Sequence, residues 1–501
     1  MAGFHSTVSR RDFMKNLGIA GVGIGAAAAA APVFNDLDDM MASNAAEVKR
    51  PWWVKFNEID HPTVEIDWSV MQRYDCRMQT QVPYVNVQYV GKDAWLAMRA
   101  KAADFATKSL GQRGNRIQDF ALNSGANSNI HGDYGTEITF TGPKKAKTPE
   151  QVGLPKFSGT PEENTKLVRA AASFLGAARV GISELGSASA DARKLVYTYF
   201  RGNASADSFI DNWPPKGADC RKVVMEDIDL GFDDGQVIHI PNKPLWKISV
   251  MVPMSREAWR TAMPGELSNV ASAANGQRYR LYNTVKLCLQ DFLRGLGYMG
   301  YGTDESGRQL VPSEASAVLG GIAEMGRHSD AAIDPEYGAN MGYWTLVTDM
   351  PLAPDRPIDA GVFRFCHSCH KCADLCPSNS ISQDAEPTWD VPKFGRPQPN
   401  TFNNPGKKLF WTDQHSCVMW RTVYGCRICR PVCTFNTNQG AMAHQLIRST
   451  ISTTSLFNSF FYKMSKPFGY GVHDPDKWWD MQLPTLGYDS TRMAYDGGYR
   501  K

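Results

Sequence analysis

Apolar positions along the middle of the chain change their spacing from segment to segment, and the changes predict a framework of helices and strands. From Glu162 to Leu175 they recur at helical spacing, with Leu167, Ala170, Ala171, Phe174 and Leu175 on one face. That run passes into Ala178-Arg179-Val180-Gly181-Ile182, which reads as a strand, and Trp246 to Val252 (WKISVMV) reads as a buried one. Gln277 to Leu293 predicts a long helix with Leu281, Val285, Cys288, Leu289 and Phe292 inward, closed by Gly295 and Gly297. Met341 to Met350 (MGYWTLVTDM) supplies another apolar strand. Helices alternating with strands, then a cysteine-rich segment, predict an α/β or α+β middle domain joined to a smaller unit, with Pro351 to Pro357 (PLAPDRP) as the junction. The tail from Pro467 to Lys501 has no clear period and is expected to pack across the surface.

The N-terminus follows a different pattern. Ser9-Arg10-Arg11-Asp12-Phe13-Met14-Lys15 precedes a mildly apolar run from Leu17 to Ala31, the arrangement of a twin-arginine export signal. The run falls short of the roughly 18–20 residues that cross a bilayer, so a permanent anchor is disfavoured. Gly21 to Ala26 fits a loose dinucleotide-binding loop, but no strand precedes it and the export reading accounts for it. Cleavage is expected after Ala45, at Ser43-Asn44-Ala45.

Composition narrows the classes. A chain of 501 residues, 43% apolar, has room for two to three domains and a large core. The net charge of +3, from 54 basic and 51 acidic residues, lacks the concentrated basic surplus that nucleic acid demands. The 13 Trp, 23 Phe and 18 Tyr can fill a core or line an apolar pocket.

The cysteines carry the chemistry. Phe365 to Pro377 (FCHSCHKCADLCP) contains the C-x-x-C-H of c-type haem attachment, and also the C-x2-C-x2-C-x3-C-P of a bacterial ferredoxin at Cys366, Cys369, Cys372 and Cys376. Haem leaves Cys372 and Cys376 unexplained. It also fits poorly with twin-arginine export, which carries folded chains already loaded with cofactor. A second group, Cys417, Cys426, Cys429 and Cys433, raises the count to eight of the 11 cysteines. In such loops three thiolates hold one cubane and the fourth serves its neighbour. Crossed ligation follows: Cys366, Cys369, Cys372 and Cys433 for one [4Fe–4S] cluster, and Cys376, Cys417, Cys426 and Cys429 for the other. The eight-residue gap after Cys417, and Thr434 in place of a proline after Cys433, depart from the strict pattern. Disulfides and two four-cysteine zinc sites are the competing readings. Cys76, Cys220 and Cys288 stand apart and are expected to be buried thiols.

The leader "SRRDFMK", "RPWWV" at Arg50 to Val54, "FLGAARVGISEL", "LGYMGYG", "EMGR", "VTDMPLAPDRP" and both cysteine groups occur in the same order in respiratory reductive dehalogenases, and the chain resembles the chlorinated-ethene members most. The resemblance implies an α+β protein with a nitroreductase-like core around a corrinoid and a C-terminal ferredoxin-like domain with two [4Fe–4S] clusters. Its divisions would be 1–45 (export signal), 46–160 (N-terminal unit), 161–355 (corrinoid-binding core), 356–440 (cluster domain) and 441–501 (a segment packing back on the core). The corrinoid would be base-off and without a protein histidine. In agreement, Asp413-Gln414-His415-Ser416-Cys417-Val418 lacks the glycine of D-x-H-x-x-G. His367, His370 and His415, beside cluster cysteines, are expected to tune hydrogen bonding there.

The family's proton donor, a tyrosine at the start of the long helix, falls on Tyr279, with Tyr282 beside it against the cofactor. The family's arginine ahead of the "VTD" strand falls on Gly342, which leaves Arg278, Arg280 and Arg327 as candidate cations for a phenolate. Trp52 and Trp53 are candidates for the pocket mouth or for plain packing. The implied activity is reductive dehalogenation of an organohalide, a chlorinated ethene or a chlorinated aromatic, ending an anaerobic respiratory chain. Its partners would be an upstream electron-donor complex and a small membrane anchor protein, with the enzyme exported and peripheral on the outer face of the cytoplasmic membrane. The alternatives are an epoxyqueuosine-reductase-like enzyme, expected without the leader, and a non-catalytic iron–sulfur carrier, which would not need some 300 residues ahead of its clusters.

Overall fold

The computed structural model describes residues 50–127, 139–186, 190–302, 309–397, 402–436, 442–465 and 471–481. The leader expected at 1–45 and the last part of the tail lie outside the described residues. Strand β1 (Lys55–Phe56) is followed by helices α1 (Pro83–Val90), α2 (Lys92–Lys108), α3 (Ile117–Asn127) and α4 (Pro161–Phe174), then by β2 (Arg179–Leu185). Next come β3 (Lys222–Glu226), β4 (Phe232–Asp233), β5 (Val237–Pro241), β6 (Leu245–Pro253), α5 (Asn269–Leu296), β7 (Gly300–Tyr301) and α6 (Ser313–Leu319). Short strands β8 (Glu324–Met325) and β9 (Ala332–Ile333) precede β10 (Met341–Thr348) and β11 (Ile358–Asp359). The remainder carries α7 (Val362–Cys366), α8 (Lys371–Asp374), α9 (Gln414–Tyr424), α10 (Met442–Thr453) and α11 (Asn458–Ser465).

The central sheet has the order β2-β6-β10-β7, with every neighbouring pair antiparallel. One face sets Val180, Ile182, Ile248, Val250, Trp344 and Leu346 against Val168 and Ala172 of α4 and Tyr282, Val285, Leu289 and Leu293 of α5. The other face is buried too and mixed, with Ser183, Lys247, Ser249 and Thr345 among Leu185, Leu245, Met251 and Val347. Burial on both faces is why these strands read as unbroken apolar runs. Gly181 sits where the end of α6 presses on the sheet: a Cβ there would lie 2.2 Å from the Gly320 carbonyl oxygen.

Helix α4 forms where its period predicts, from a Thr160 cap whose hydroxyl accepts from the Glu163 amide. Its fully buried face is offset from the expected stripe, of which Leu167, Ala171 and Leu175 are half-buried against the core. Asn164, Thr165, Val168, Arg169 and Ala172 are buried, whereas Phe174 is 90% exposed and Ala170 is exposed. The cause is a polar debt in the Pro351-to-Pro357 segment. Asn164 Nδ2 donates to the Pro351 carbonyl at 2.8 Å, the Ala353 amide donates to Thr165 Oγ1 at 2.9 Å, and Arg169 pairs with Asp355. Polar side chains that satisfy a buried backbone are drawn inward, and hydrophobicity alone cannot register this.

Helix α5 starts at Asn269, about two turns before the expected Gln277. The early turns contain Ala271, Ala273, Ala274 and Gly276, all buried, so the packing side there is made of small residues without a large-apolar stripe. Further along, Val285 and Leu289 are inward as expected, while Leu281, Cys288 and Phe292 are only half-buried. Cys76 and Cys220 are buried.

The residues assigned to separate N-terminal, core and cluster units share packing. β1 pairs with β11, and Trp53 and Val54 lie in one apolar cluster with Ile333, Phe365, Phe435 and Ile451. Arg50 and Arg179 meet at Asp334, at 3.1 and 2.8 Å. Arg50 also donates to the Gly321 and Ile322 carbonyls. Loss of one partner from so buried a network costs about 3–5 kcal/mol. Trp52, by contrast, is 70% exposed, so the tryptophan pair splits between packing and surface. Of the tail, Trp479 Nε1 donates to Asp119 Oδ1 at 2.7 Å, which fastens it to α3.

Candidate active site and cysteine centres

Cys366 closes α7 and Cys372 lies in α8. Cys417 lies in α9, which Asp413 caps and which Gly425 ends in the left-handed conformation (φ 61°) that turns the chain toward Cys426. None of the described cysteines is in a disulfide. Burial pushes all three thiols of the first loop up, and neighbouring sulfurs push two of them further: Cys366 feels Cys369 and Cys433, and Cys372 feels Cys369, Cys366, Cys429 and Cys433. Burial likewise takes Cys433 to about 12, with Cys369 adding to it. In the second set, burial raises Cys417 to about 12, with Cys376 and Cys426 adding to it; Cys426 feels Cys376, and Cys429 feels Cys417 and Cys426. The neighbours sort into Cys366/369/372/433 and Cys376/417/426/429, with Cys372 and Cys429 where the two sets meet.

Among the described residues no three Cys, His, Asp or Glu side chains converge on a point that a single ion could occupy. A tetrahedral zinc would draw four sulfurs to about 3.8 Å of one another. Two quartets of thiols, three of them fully buried and five half-buried, suit cubanes, whose iron would supply the positive charge that lets thiols in such sites ionise.

The loop around the first quartet is held by two residues of the "EMGR" stretch. Arg327, fully buried, donates to the carbonyls of Cys366, Cys369, Ser382 and Asp384 at 2.7–3.0 Å and lies 4.0 Å over the Phe410 ring. Glu324 accepts from the amides of Ala360, Val362 and Phe363 at the start of α7, and burial raises its carboxyl to about 7. Arg327 is therefore committed to the cysteine loop and does not reach Tyr279. The histidines are also occupied elsewhere: His367 faces Glu386 at 2.9 Å, His370 faces Gln383 at 3.2 Å, and His415 faces Asn86 at 2.8 Å and stacks on Tyr89. Polar contacts to cluster sulfurs come instead from Thr434 on Cys369 (3.6 Å), and from Ser378 and the Ser380 amide on Cys376 (3.5 and 3.3 Å). Short hydroxyl and amide donors reach a sulfur in a tight turn, whereas the imidazoles point past it.

Tyr279 stands about three turns into α5, not at its start. Arg278 Nη2 donates to its hydroxyl at 3.1 Å, with the guanidinium carbon 4.7 Å from the ring centroid. The Arg278 charge pulls the phenol below its ordinary value against the opposing effect of burial, and Arg427 and Arg430 of the cysteine segment pull the same way. Both Arg278 and Tyr279 retain some accessible surface. Tyr282 meets Tyr279 edge to face at 5.3 Å, but lies in the main apolar core, where burial pushes its phenol well up. Gly342 makes room for this arrangement: a Cβ there would come within 2.8 Å of Arg278 Cδ and 3.1 Å of its Cβ. The cation for Tyr279 is thus its chain neighbour, and no described contact brings Arg280 to it.

Close by, Arg430 pairs with Asp330 at 3.3 Å. Among the described residues several buried polar atoms lack a hydrogen-bond partner: both ring nitrogens of His328 and the Tyr343 hydroxyl, each within the field of Arg430, and also the side-chain amide of Asn340, Arg430 Nη1 and Asn436 Oδ1. Left alone, each would cost about 1–3 kcal/mol. A large ligand edged with amide groups, as a corrinoid is, offers matching donors and acceptors, so these residues fit it. Sequence reading passed them over because nothing in a lone His, Asn or Tyr marks its burial.

Comparison with known proteins identifies the family. The family model for "reductive dehalogenase subunit" matches residues 49–352, and that for a "4Fe-4S double cluster binding domain" matches 365–436. The chain is 30% identical to the chloroethene reductive dehalogenase of Dehalococcoides mccartyi (strain VS), covering 98% of this chain and 99% of that one. It is 29% identical to the trichloroethene reductive dehalogenase of D. mccartyi (strain ATCC BAA-2266 / KCTC 15142 / 195), over 97% and 98%. A reductive dehalogenase structure solved in connection with B12-dependent dehalogenation shares the fold at TM-score 0.59 and 16% identity, over 85% of this chain and 50% of that one. The chain spans about half the length of that solved protein. It belongs to the reductive dehalogenases, enzymes that reductively break carbon–halogen bonds, and carries their reaction together with a double [4Fe–4S] cluster domain.

Proposed function

We propose that the substrate is a chlorinated ethene and that Tyr279, held by Arg278, supplies the proton that completes its dechlorination. The observation that carries this reading is the Arg278–Tyr279 contact over Gly342, within the electrostatic reach of the two arginines that flank Cys426 and Cys429. It joins a proton donor to the cysteine segment. The similarity to relatives named for chloroethene and trichloroethene supports the substrate class.

In this reading Cys366, Cys369, Cys372 and Cys433 hold one [4Fe–4S] cluster and Cys376, Cys417, Cys426 and Cys429 the other. The clusters deliver single electrons, and a bound corrinoid supplies a strongly reducing, nucleophilic metal centre. His328, Asn340, Tyr343, Arg430 and Asn436 would hold its polar edge. Tyr279 delivers its phenolic proton to the carbon from which halide departs, and the Arg278 guanidinium stabilises the phenolate left behind. Removing the cation should therefore change how the donor titrates. Arg278→Met should lower turnover about tenfold or more and move the alkaline limb of the pH–rate profile, where the phenol proton is lost, to higher pH. Arg278→Lys should recover part of both.

The corrinoid is taken to be base-off and free of a protein histidine. His328 is the residue that would contradict this, since burial and then the Arg430 charge hold it neutral at a value of about 4 with both nitrogens unpartnered. Nitrogen splitting in the cobalt electron paramagnetic resonance spectrum, lost in His328→Ala, would show it to be a ligand. Anaerobic purification with corrinoid, then assay against chlorinated ethenes, benzenes and phenols with a low-potential donor, tests the reaction. Turnover of aromatics alone would replace the substrate class.

The export reading adds a location: the outer face of the cytoplasmic membrane, with a small anchor protein and an upstream electron donor as partners. Among the described residues no helix is long and apolar enough to cross a membrane. Arg10→Lys with Arg11→Lys should leave the chain uncleaved in the cytoplasm, and normal processing of that variant would remove the twin-arginine argument.

A further inference from the structure

The apolar stripe of α4, half-buried against the core at Leu167, Ala171 and Leu175 and exposed at Phe174, forms with the outer side of α5 an open groove of about 750 Å³. Leu167, Ala171 and Phe174 line one wall and Cys288, Phe292 and Leu296 the other, with Ala146 at one end. The loop beyond that end continues the apolar surface. Its Phe157 amide donates to the Leu296 carbonyl at 3.1 Å, and Leu154 and Val152 stand 65% and 50% exposed, against 90% for Phe174. Single exposed apolar side chains are ordinary, but a groove continuous with three large exposed ones marks an interaction surface.

The charge around it selects the occupant. Lys144, Lys145 and Lys147 flank Ala146, and Lys156 follows on the same loop; all four are exposed. The carboxylates are Glu150 on that loop, Asp291 on the groove wall and Glu162 and Glu163 at the start of α4, so the positive charge is concentrated in the three lysines around Ala146. Projecting aromatic and aliphatic side chains inside a collar of lysines suit the boundary between acyl chains and acidic headgroups. We propose that the α4–α5 groove with the 144–156 loop is a membrane-docking face that takes an anionic lipid surface. It would hold the enzyme on the bilayer directly, whether or not an anchor protein also binds.

The test is flotation of the cofactor-loaded chain with phosphatidylcholine vesicles, with and without phosphatidylglycerol. Binding is expected with phosphatidylglycerol alone and should weaken at high salt. Phe174→Ser with Leu154→Ser should abolish it, and Lys144→Gln, Lys145→Gln and Lys147→Gln together should lower partitioning about 10²-fold. Far-ultraviolet circular dichroism and turnover with a soluble donor should be unchanged in both variants, so that failure here is distinct from failure of the dehalogenase reading. Equal binding by both variants and the parent, or no binding to anionic vesicles, would overturn the proposal. So would a parent that is dimeric by light scattering and becomes monomeric in Phe174→Ser with Leu154→Ser, because the groove would then hold a second copy.

Discussion

Tyr279→Phe should cut turnover by about 10²-fold or more while leaving iron and corrinoid content unchanged. The substitution keeps the ring, its edge-to-face contact with Tyr282 at 5.3 Å and its place on α5, and removes the hydroxyl to which Arg278 donates at 3.1 Å. The loss should fall on kcat rather than on substrate binding, because the missing proton is needed only once halide leaves. Arg278 and Gly342 give the prediction a second edge. With the hydroxyl gone, the guanidinium has nothing to stabilise, so Arg278→Met added to Tyr279→Phe should cost little more than Tyr279→Phe alone. Additive losses would mean that Arg278 acts by another route, and a Tyr279→Phe enzyme working at the parent rate would assign the proton to another donor. Gly342→Ala should resemble Arg278→Met, since its methyl would displace the Arg278 side chain.

Serine at Cys376 should strip the cluster that the other loop holds. Cys376 lies beside Cys417 and Cys426, whereas the partners of Cys366 and Cys372 include Cys433. Crossed ligation therefore predicts that Cys376→Ser and Cys433→Ser each lower iron from about eight to about four atoms per chain, but remove different clusters, with different electron paramagnetic resonance signals surviving. Turnover should vanish in both, because electrons must pass through each. Loss of the same cluster from both variants, or retention of all the iron, would overturn the assignment.

Much of the site was legible because its chemistry needs a rare residue at fixed intervals. Thiolates must stand at set spacings to reach irons of one cubane, so the cysteine loops announce themselves, even with the long gap between Cys417 and Cys426. The strands were legible for a similar reason: a sheet covered on both faces leaves unbroken apolar runs such as WKISVMV. Tyr279 was reached by resemblance, and its cation could be narrowed no further than three arginines. Adjacent residues on a helix face different directions, so only the cleared space over Gly342 lets Arg278 turn back onto its neighbour's hydroxyl.

Local sequence determined the elements and the grouping of eight cysteines, since each depends on residues close together in the chain. Tertiary structure decided which face of α4 is buried, because Asn164, Thr165 and Arg169 answer the backbone and carboxylate of a segment nearly 190 residues away. It gave Arg327 and Glu324 to the cysteine loop, left His328 and Tyr343 without hydrogen-bond partners among the described residues, and left the half-buried stripe between α4 and α5 open as a groove beside three lysines. In each case the deciding quantity is the hydrogen bonding or desolvation of a polar group by distant residues, which periodicity along the chain does not encode.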